Sequence, residues 1–138
     1  MTIEDVRDYC LSLPQTTEDS PFGPDYVTFR VAGKIFVCLP LARPGLFTAK
    51  CAPERAEALR EAYAGILPAW HWNKRHWNDV NLEADVPEAL AVELIEHAYA
   101  EVVRALPVRI RAGIEAAGAR RIAEKSDAPH NKAEKTPL

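Results

Sequence analysis

Hydrophobic positions along this chain change their spacing several times, and each change marks an element. Val6, Cys10 and Leu13 recur at helical spacing behind Thr2 and Asp5, a pair that resembles a capping box, and Pro14 stops the run. Residues 15–25 hold Pro21, Gly23 and Pro24 among three acids and read as a loop. From Tyr26 to Val31 the spacing drops to two, with Val27, Phe29 and Val31 on one side and Tyr26, Thr28 and Arg30 on the other. Ala32-Gly33 and the apolar run Lys34 to Leu39 complete a hairpin, for which a type I turn with Gly33 left-handed is expected because Ala32 suits type I′ poorly. Leu46 to Cys51 reads as a third strand.

Pro53 and Glu54 open a second helix with Ala56, Leu59 and Tyr63 on its buried side, closed by Gly65. Val80 and Leu82 mark a further strand. Pro87-Glu88 opens a third helix, whose stripe runs through Leu90, Leu94, Ile95, Ala98, Tyr99, Val102, Val103 and Leu106. Short links between successive strands favour antiparallel pairing. The expected fold is α+β, a single antiparallel sheet with helices packed on one face, over residues 1–107. Residues 108–123 read as a basic helical extension interrupted by Gly113 and Gly118. Residues 124–138, polar with Pro129 and Pro137, read as a disordered tail.

Composition narrows the function classes. A length of 138 residues fits one domain, and 48% apolar residues suffice for one core. Residues 1–103 carry 9 Lys and Arg against 16 Asp and Glu, a net −7, while residues 104–138 carry 8 against 4, a net +4. An acidic body opposes strong non-specific attraction to nucleic acid, so any such site is a local patch. Cys10, Cys38 and Cys51 are odd in number and contain no CxxC pair, which reads as reduced thiols. The N-terminus lacks the apolar core of a signal peptide, and no apolar run approaches the ~20 residues that span a bilayer. The expectation is a bacterial cytoplasmic monomer without a membrane partner.

The densest chemistry lies in residues 70–78, Trp70-His71-Trp72-Asn73-Lys74-Arg75-His76-Trp77-Asn78, which hold all three tryptophans and an adjacent Lys-Arg pair. Indole offers a stacking face, Lys and Arg fixed charge, and Asn a two-way amide. Two readings stand side by side. In one, the indoles pack beneath the sheet and Asn-Lys-x-His is a well-bonded turn, with Trp77 buried and Lys74 or Arg75 exposed. In the other, Trp70 or Trp72 stacks a base while Lys74 and Arg75 meet phosphates, with Asn73 and His76 beside them. Arg30 and Lys34 flank the hairpin tip and, with Lys50, either extend such a patch or simply solubilise an edge.

Other chemistries find less support. His71 and His76 lie five apart, on opposite faces of a strand, and no HExxH or Cys/His ligand spacing occurs, so no metal or cofactor is expected. Cys51 beside Lys50 is a candidate for a lowered thiol pKa. No nucleophile–base pair, G-x-S-x-G or Gly-rich phosphate loop accompanies it, so no enzyme activity is expected.

Four stretches together resemble the MmcQ/YjbR family of small bacterial proteins. They are Thr2-Ile3-Glu4-Asp5-Val6-Arg7-Asp8-Tyr9-Cys10, Pro21-Phe22-Gly23-Pro24-Asp25, Lys50-Cys51-Ala52-Pro53-Glu54 and Asn73-Lys74-Arg75-His76-Trp77-Asn78, the last being the most specific. The resemblance spans roughly residues 2–104. It implies a CyaY-like (frataxin-like) fold and DNA binding through a double wing of β-hairpins, a function carried by shape analogy. It places Asn73, Lys74, His76 and Trp77 on the family signature. It also invites an iron reading for Glu4, Asp5 and Asp8, although acids in a first turn already favour the helix dipole. The chain departs from the family at Trp70 and Trp72, where smaller or Met-like residues are usual, and at Ala52, where a capping Asp is common. The resulting expectation is a small binding protein with weak or non-specific DNA binding through Trp70, Trp72, Asn73, Lys74, Arg75, His76, Arg30 and Lys34. Its alternative is a protein or small-ligand adaptor using the same aromatic face.

Overall fold

The computed structural model describes residues 1–119, and the tail expected over 124–138 lies outside the described residues. Helix α1 (Ile3–Ser12) begins at a true capping box. The Asp5 amide donates to Thr2 Oγ1 at 3.2 Å, and the Thr2 amide donates back to Asp5 Oδ2 at 2.8 Å. That backbone bond holds the Asp5 carboxyl below its usual range. Val6 and Cys10 face inward, and the helix closes at Leu13, before Pro14.

Strand β1 (Thr16–Asp19) occupies part of the segment expected as a loop. Its four polar residues carry no apolar alternation, so the sequence pattern is silent there. Pairing with β2 (Tyr26–Val31) makes the strand, in register from Thr16↔Val31 to Asp19↔Thr28. Arg7 of α1 pairs with Glu18 at 3.0 Å.

Strand β3 (Lys34–Pro40) returns from β2 through Ala32-Gly33. Both turn residues are left-handed, Ala32 at φ 51° and Gly33 at φ 78°, which is type I′ geometry in place of the expected type I turn. The hand of a two-residue hairpin explains the outcome: a type I′ turn matches the strand twist, and Ala32 bears the resulting strain. The register slips between Phe29 and Arg30, making Phe36 the extra residue of a bulge. Its fully buried ring packs edge-on to Tyr99, 5.3 Å between centroids.

Strand β4 (Leu46–Lys50) leads into α2 (Pro53–Ala62), then β5 (Ile66–Pro68), β6 (Trp77–Asn81), α3 (Glu88–Arg104) and α4 (Val108–Ile114). A π-helical turn, Glu115–Ala119, follows α4 and breaks at Gly118, φ 111°. The sheet order is β1-β2-β3-β4-β6-β5, antiparallel throughout. Ala52 offers α2 no capping side chain. Its amide instead donates to Nε2 of His97 on α3, at 3.1 Å. Gly65 is required by a close approach, since a Cβ there would sit 2.7 Å from Ala84 Cβ.

The main core gathers Phe29, Val37, Phe47, Ala49 and Val80 from the sheet against Val6, Leu94, Ile95, Ala98, Tyr99 and Val103 from α1 and α3. Alternation sends Thr28, Cys38, Thr48 and Asp79 to the opposite face, and the register sets them in one row across neighbouring strands. Yet these four are 0, 1, 3 and 5% exposed. A sheet with helices on one face leaves its other face to solvent unless something else covers it. Among the described residues no helix is long and apolar enough to cross a membrane.

Candidate functional site

The cover is the Trp-rich loop between β5 and β6. Its ends are stitched to the sheet: the Ala69 amide donates to Trp77 O at 3.2 Å, and His76 O accepts from the Cys51 amide at 2.8 Å. Within it, Asn73 Oδ1 accepts from the Arg75 amide at 2.9 Å, an Asx turn, and Asn73 O accepts from the His76 amide at 3.1 Å. Lys74 Nζ donates to Ala69 O at 2.9 Å and Trp70 O at 3.2 Å. From below, Arg60 of α2 donates to Asn78 Oδ1 at 2.7 Å, to Trp77 O at 3.4 Å and to Lys74 O. Asn73, Lys74 and the His76 backbone therefore build the turn.

A buried carboxylate anchors the loop to the outer face. Asp79 accepts from Thr48 Oγ1 at 2.6 Å, from the Trp70 amide at 3.2 Å and from Arg43 Nη1 at 3.4 Å. Three donors offset the cost of taking that charge out of water. At the far end of the same row, Asp19 accepts from Thr28 Oγ1 and from Arg30 Nε, at 3.1 Å for the latter, and the Thr28 hydroxyl holds its carboxyl below the usual range.

Aromatic rings complete the cover. Trp77, 8% exposed, lies under Trp72 at 4.5 Å and 35°. Phe22, from the loop before β2, meets Trp72 edge-on at 5.9 Å. His71 stands edge-on to Tyr26 at 6.3 Å and to Trp70 at 5.8 Å. Trp77 is buried while Lys74 and Arg75 are exposed, the division expected from the residue mixture. Trp72 is half-buried and occupied by its neighbours. Trp70 remains, 68% exposed, with Phe22 at 57% and Leu67 at 55% on the same outer face.

The hairpin cations lie near the β2–β3 turn. Arg30 is held by Asp19 and by Gly33 O, at 3.0 Å. Lys34 is exposed, and Lys50 Nζ sits 5.4 Å from the Trp77 ring centroid. Arg30, Lys34, Lys50 and Trp77 all line an open groove of about 410 Å³ at the hairpin end of the sheet. The candidate residues thus form two adjoining patches, the loop surface around Trp70 and Arg75 and the basic groove, with Trp77 between them.

Cys51 differs from expectation. It is 3% exposed, and burial pushes its thiol up to about 12 rather than down. Burial likewise raises Cys10, and raises Cys38 to about 12 with a further contribution from the Asp79 charge. Among the described residues no group of three or more His, Cys, Asp or Glu is placed to hold a metal ion. Sequence reading missed Phe22, Arg43, Arg60 and Asp79. Phe22 left a signal within the family-like stretch Pro21-Phe22-Gly23-Pro24-Asp25, and Asp79 left one as an acid within a strand-like stretch.

Comparison with known proteins agrees with this architecture. The YjbR family model matches residues 11–101. The uncharacterized protein YbdF of Escherichia coli O157:H7 is 33% identical, with 77% of this chain and 88% of that protein aligned. The uncharacterized protein YjbR of Escherichia coli K12 is 28% identical over 78% of this chain and 92% of its own length. Among solved structures, Deinococcus radiodurans DR2400, with a DUF419 domain, superposes with a TM-score of 0.77 at 30% identity, covering 83% of this chain and 88% of that one. A Pseudomonas syringae protein superposes with a TM-score of 0.60 at 29% identity, covering 71% of this chain and 96% of that one.

Proposed function

The chain belongs to the YjbR family, and from that premise we propose that it is a binding protein for a flexible nucleic-acid strand, single-stranded DNA first, held weakly across the outer sheet face. The observation that carries this reading is the exposed Trp70 indole, 68% open to solvent, on a loop that also carries an exposed Arg75 and that packs through buried Trp77 and half-buried Trp72. A solvent-facing indole on a loop that also exposes a guanidinium suits sequence-tolerant stacking, at about 1–3 kcal/mol per base. The groove cations extend the surface for phosphates. The acidic body, −7 over residues 1–103, limits the affinity. The three thiols, buried and raised in pKa, play no part in this reading.

A second reading draws on the apolar character of the same patch: Phe22, Leu67 and Trp70 together fit a protein partner. Fluorescence titration with single- and double-stranded oligonucleotides at two salt concentrations separates the two. Strand binding is expected at low salt, with loss in Trp70→Ala/Arg75→Ala. No binding of either form at low salt would reject the nucleic-acid reading and leave the adaptor. Binding that survives the double substitution but disappears when the chain stops at residue 119 would assign it to the basic C-terminal segment instead.

A further inference from the structure

The groove at the hairpin end combines the cations that the strand reading uses for phosphates with an apolar lining that strand binding does not need. Part of its lining is apolar: Ile35 from the hairpin, with Val102 and Leu106 from the end of α3. Part is cationic, with Lys34 and Lys50. Among the described residues neither ammonium has a carboxylate within ion-pair distance. Arg30 is different, because Asp19 already neutralises it at 3.1 Å. The Lys50 ammonium is oriented over the Trp77 ring, whose π face holds a cation at the groove floor. The carbonyl end of α3 also approaches this region, and Arg111 donates to Arg104 O at 3.3 Å, blunting its partial negative charge.

A phosphate backbone would use the ammonium groups and leave the apolar lining wet. A free hydrocarbon would use that lining and leave two like charges unrelieved. We infer that the groove is a second binding site, distinct from the Trp70 surface, for a small organic anion with a flat apolar body and a single anionic head. The body lies against Ile35, Val102 and Leu106, and the head lies between Lys34 and Lys50. A volume of about 410 Å³ falls within the usual range for such ligands. Lys50 has the more fixed role, since Trp77 positions it, and Lys34 closes from the hairpin.

The test uses the full chain and amide chemical shifts. The probe is 1-naphthyl phosphate, set against inorganic phosphate and uncharged 1-naphthol. Saturable shifts from naphthyl phosphate at the amides of Lys34, Ile35, Lys50, Ala105 and Leu106, with each half-probe at least tenfold weaker, are the expected result. Lys34→Gln/Lys50→Gln should weaken naphthyl phosphate at least tenfold with spectral dispersion retained. Ala105→Glu, at an exposed position on the groove rim, should do the same by placing a carboxylate at the mouth. Trp70→Ala/Arg75→Ala should leave this probe unchanged while weakening oligonucleotides, so that the two sites fail separately. Equal binding by the lysine variant, shifts centred on the Trp70 loop, or equal affinity for inorganic phosphate would each overturn the inference.

Discussion

At the scale of single residues, two side chains stand in environments that oppose their own preferences. Ala32 is left-handed at φ 51° because the two-residue hairpin demands it. Asn adopts that conformation more readily than Ala, and Asn-Gly is the favoured type I′ pair. Ala32→Asn is therefore expected to stabilise the fold by about 0.5–1 kcal/mol, read as a higher urea midpoint with an unchanged slope. His97 is buried against the positive charges of Arg55 and Arg104, which brings its pKa down to about 3. The unfolded chain takes up a proton near pH 6.5, whereas the folded one stays neutral and keeps Nε2 free to accept from Ala52. His97 thus costs no stability above about pH 6.5 and progressively more as the pH falls towards 3. The slope for one proton is at most about 1.4 kcal/mol per pH unit. His97→Gln, which can still accept from that amide, should flatten the wild-type decline between pH 6.5 and 4. Parallel curves for the two proteins would show that His97 is not the group responsible.

At the scale of elements, the loop of residues 69–76 behaves as a structural unit, and Arg60 is its support from the other side of the sheet edge. Arg60→Ala removes donors to Asn78, Lys74 and Trp77 together. Loss of charged donors to partly buried acceptors is expected to cost about 1–3 kcal/mol and to red-shift tryptophan emission as Trp72 and Trp77 become wetter. A melt and an emission spectrum matching the wild type would show that the loop holds without it. Sequence patterning found α1, the β2–β3 hairpin, β4, α2 and α3 because each has an apolar face with a clear period. It missed β1 because Thr16–Asp19 owes its strand to backbone pairing rather than to buried side chains. It misjudged the hairpin turn because Ala32 by itself argues against the conformation that strand twist imposes. Arg60 was invisible because a basic residue on an exposed-looking helix face carries no sign of what it will reach.

At the scale of the whole molecule, the sheet is covered twice, by helices on one face and by an aromatic loop on the other. Clustering of tryptophans was legible in the sequence, but the assignment of each was not. Trp77 and Trp72 became part of the cover, and Trp70 was left outside because its amide, rather than its ring, is held by Asp79. Under the nucleic-acid reading proposed above, that division of labour makes a modest binder. With few free cations, a log–log salt plot for single-stranded DNA should be shallower than about −3, corresponding to roughly four phosphates or fewer at −0.7 each. A steeper slope would point to basic residues beyond this face. The sheet also has two rims, and both are unsuited to recruiting another strand. β1 presents Thr-Thr-Glu-Asp, and β5 is three residues long and ends in Pro68. The Ala69 amide points inward to Trp77, so the preceding nitrogen points outward, where proline has no hydrogen to offer. These rims act as built-in brakes on fibril-like growth, a colloidal property that no contact within the fold requires. Replacing both brakes, with Glu18→Val and Pro68→Val, should shorten the lag before light scattering rises in a concentrated, warmed solution, even where the melting temperature hardly moves.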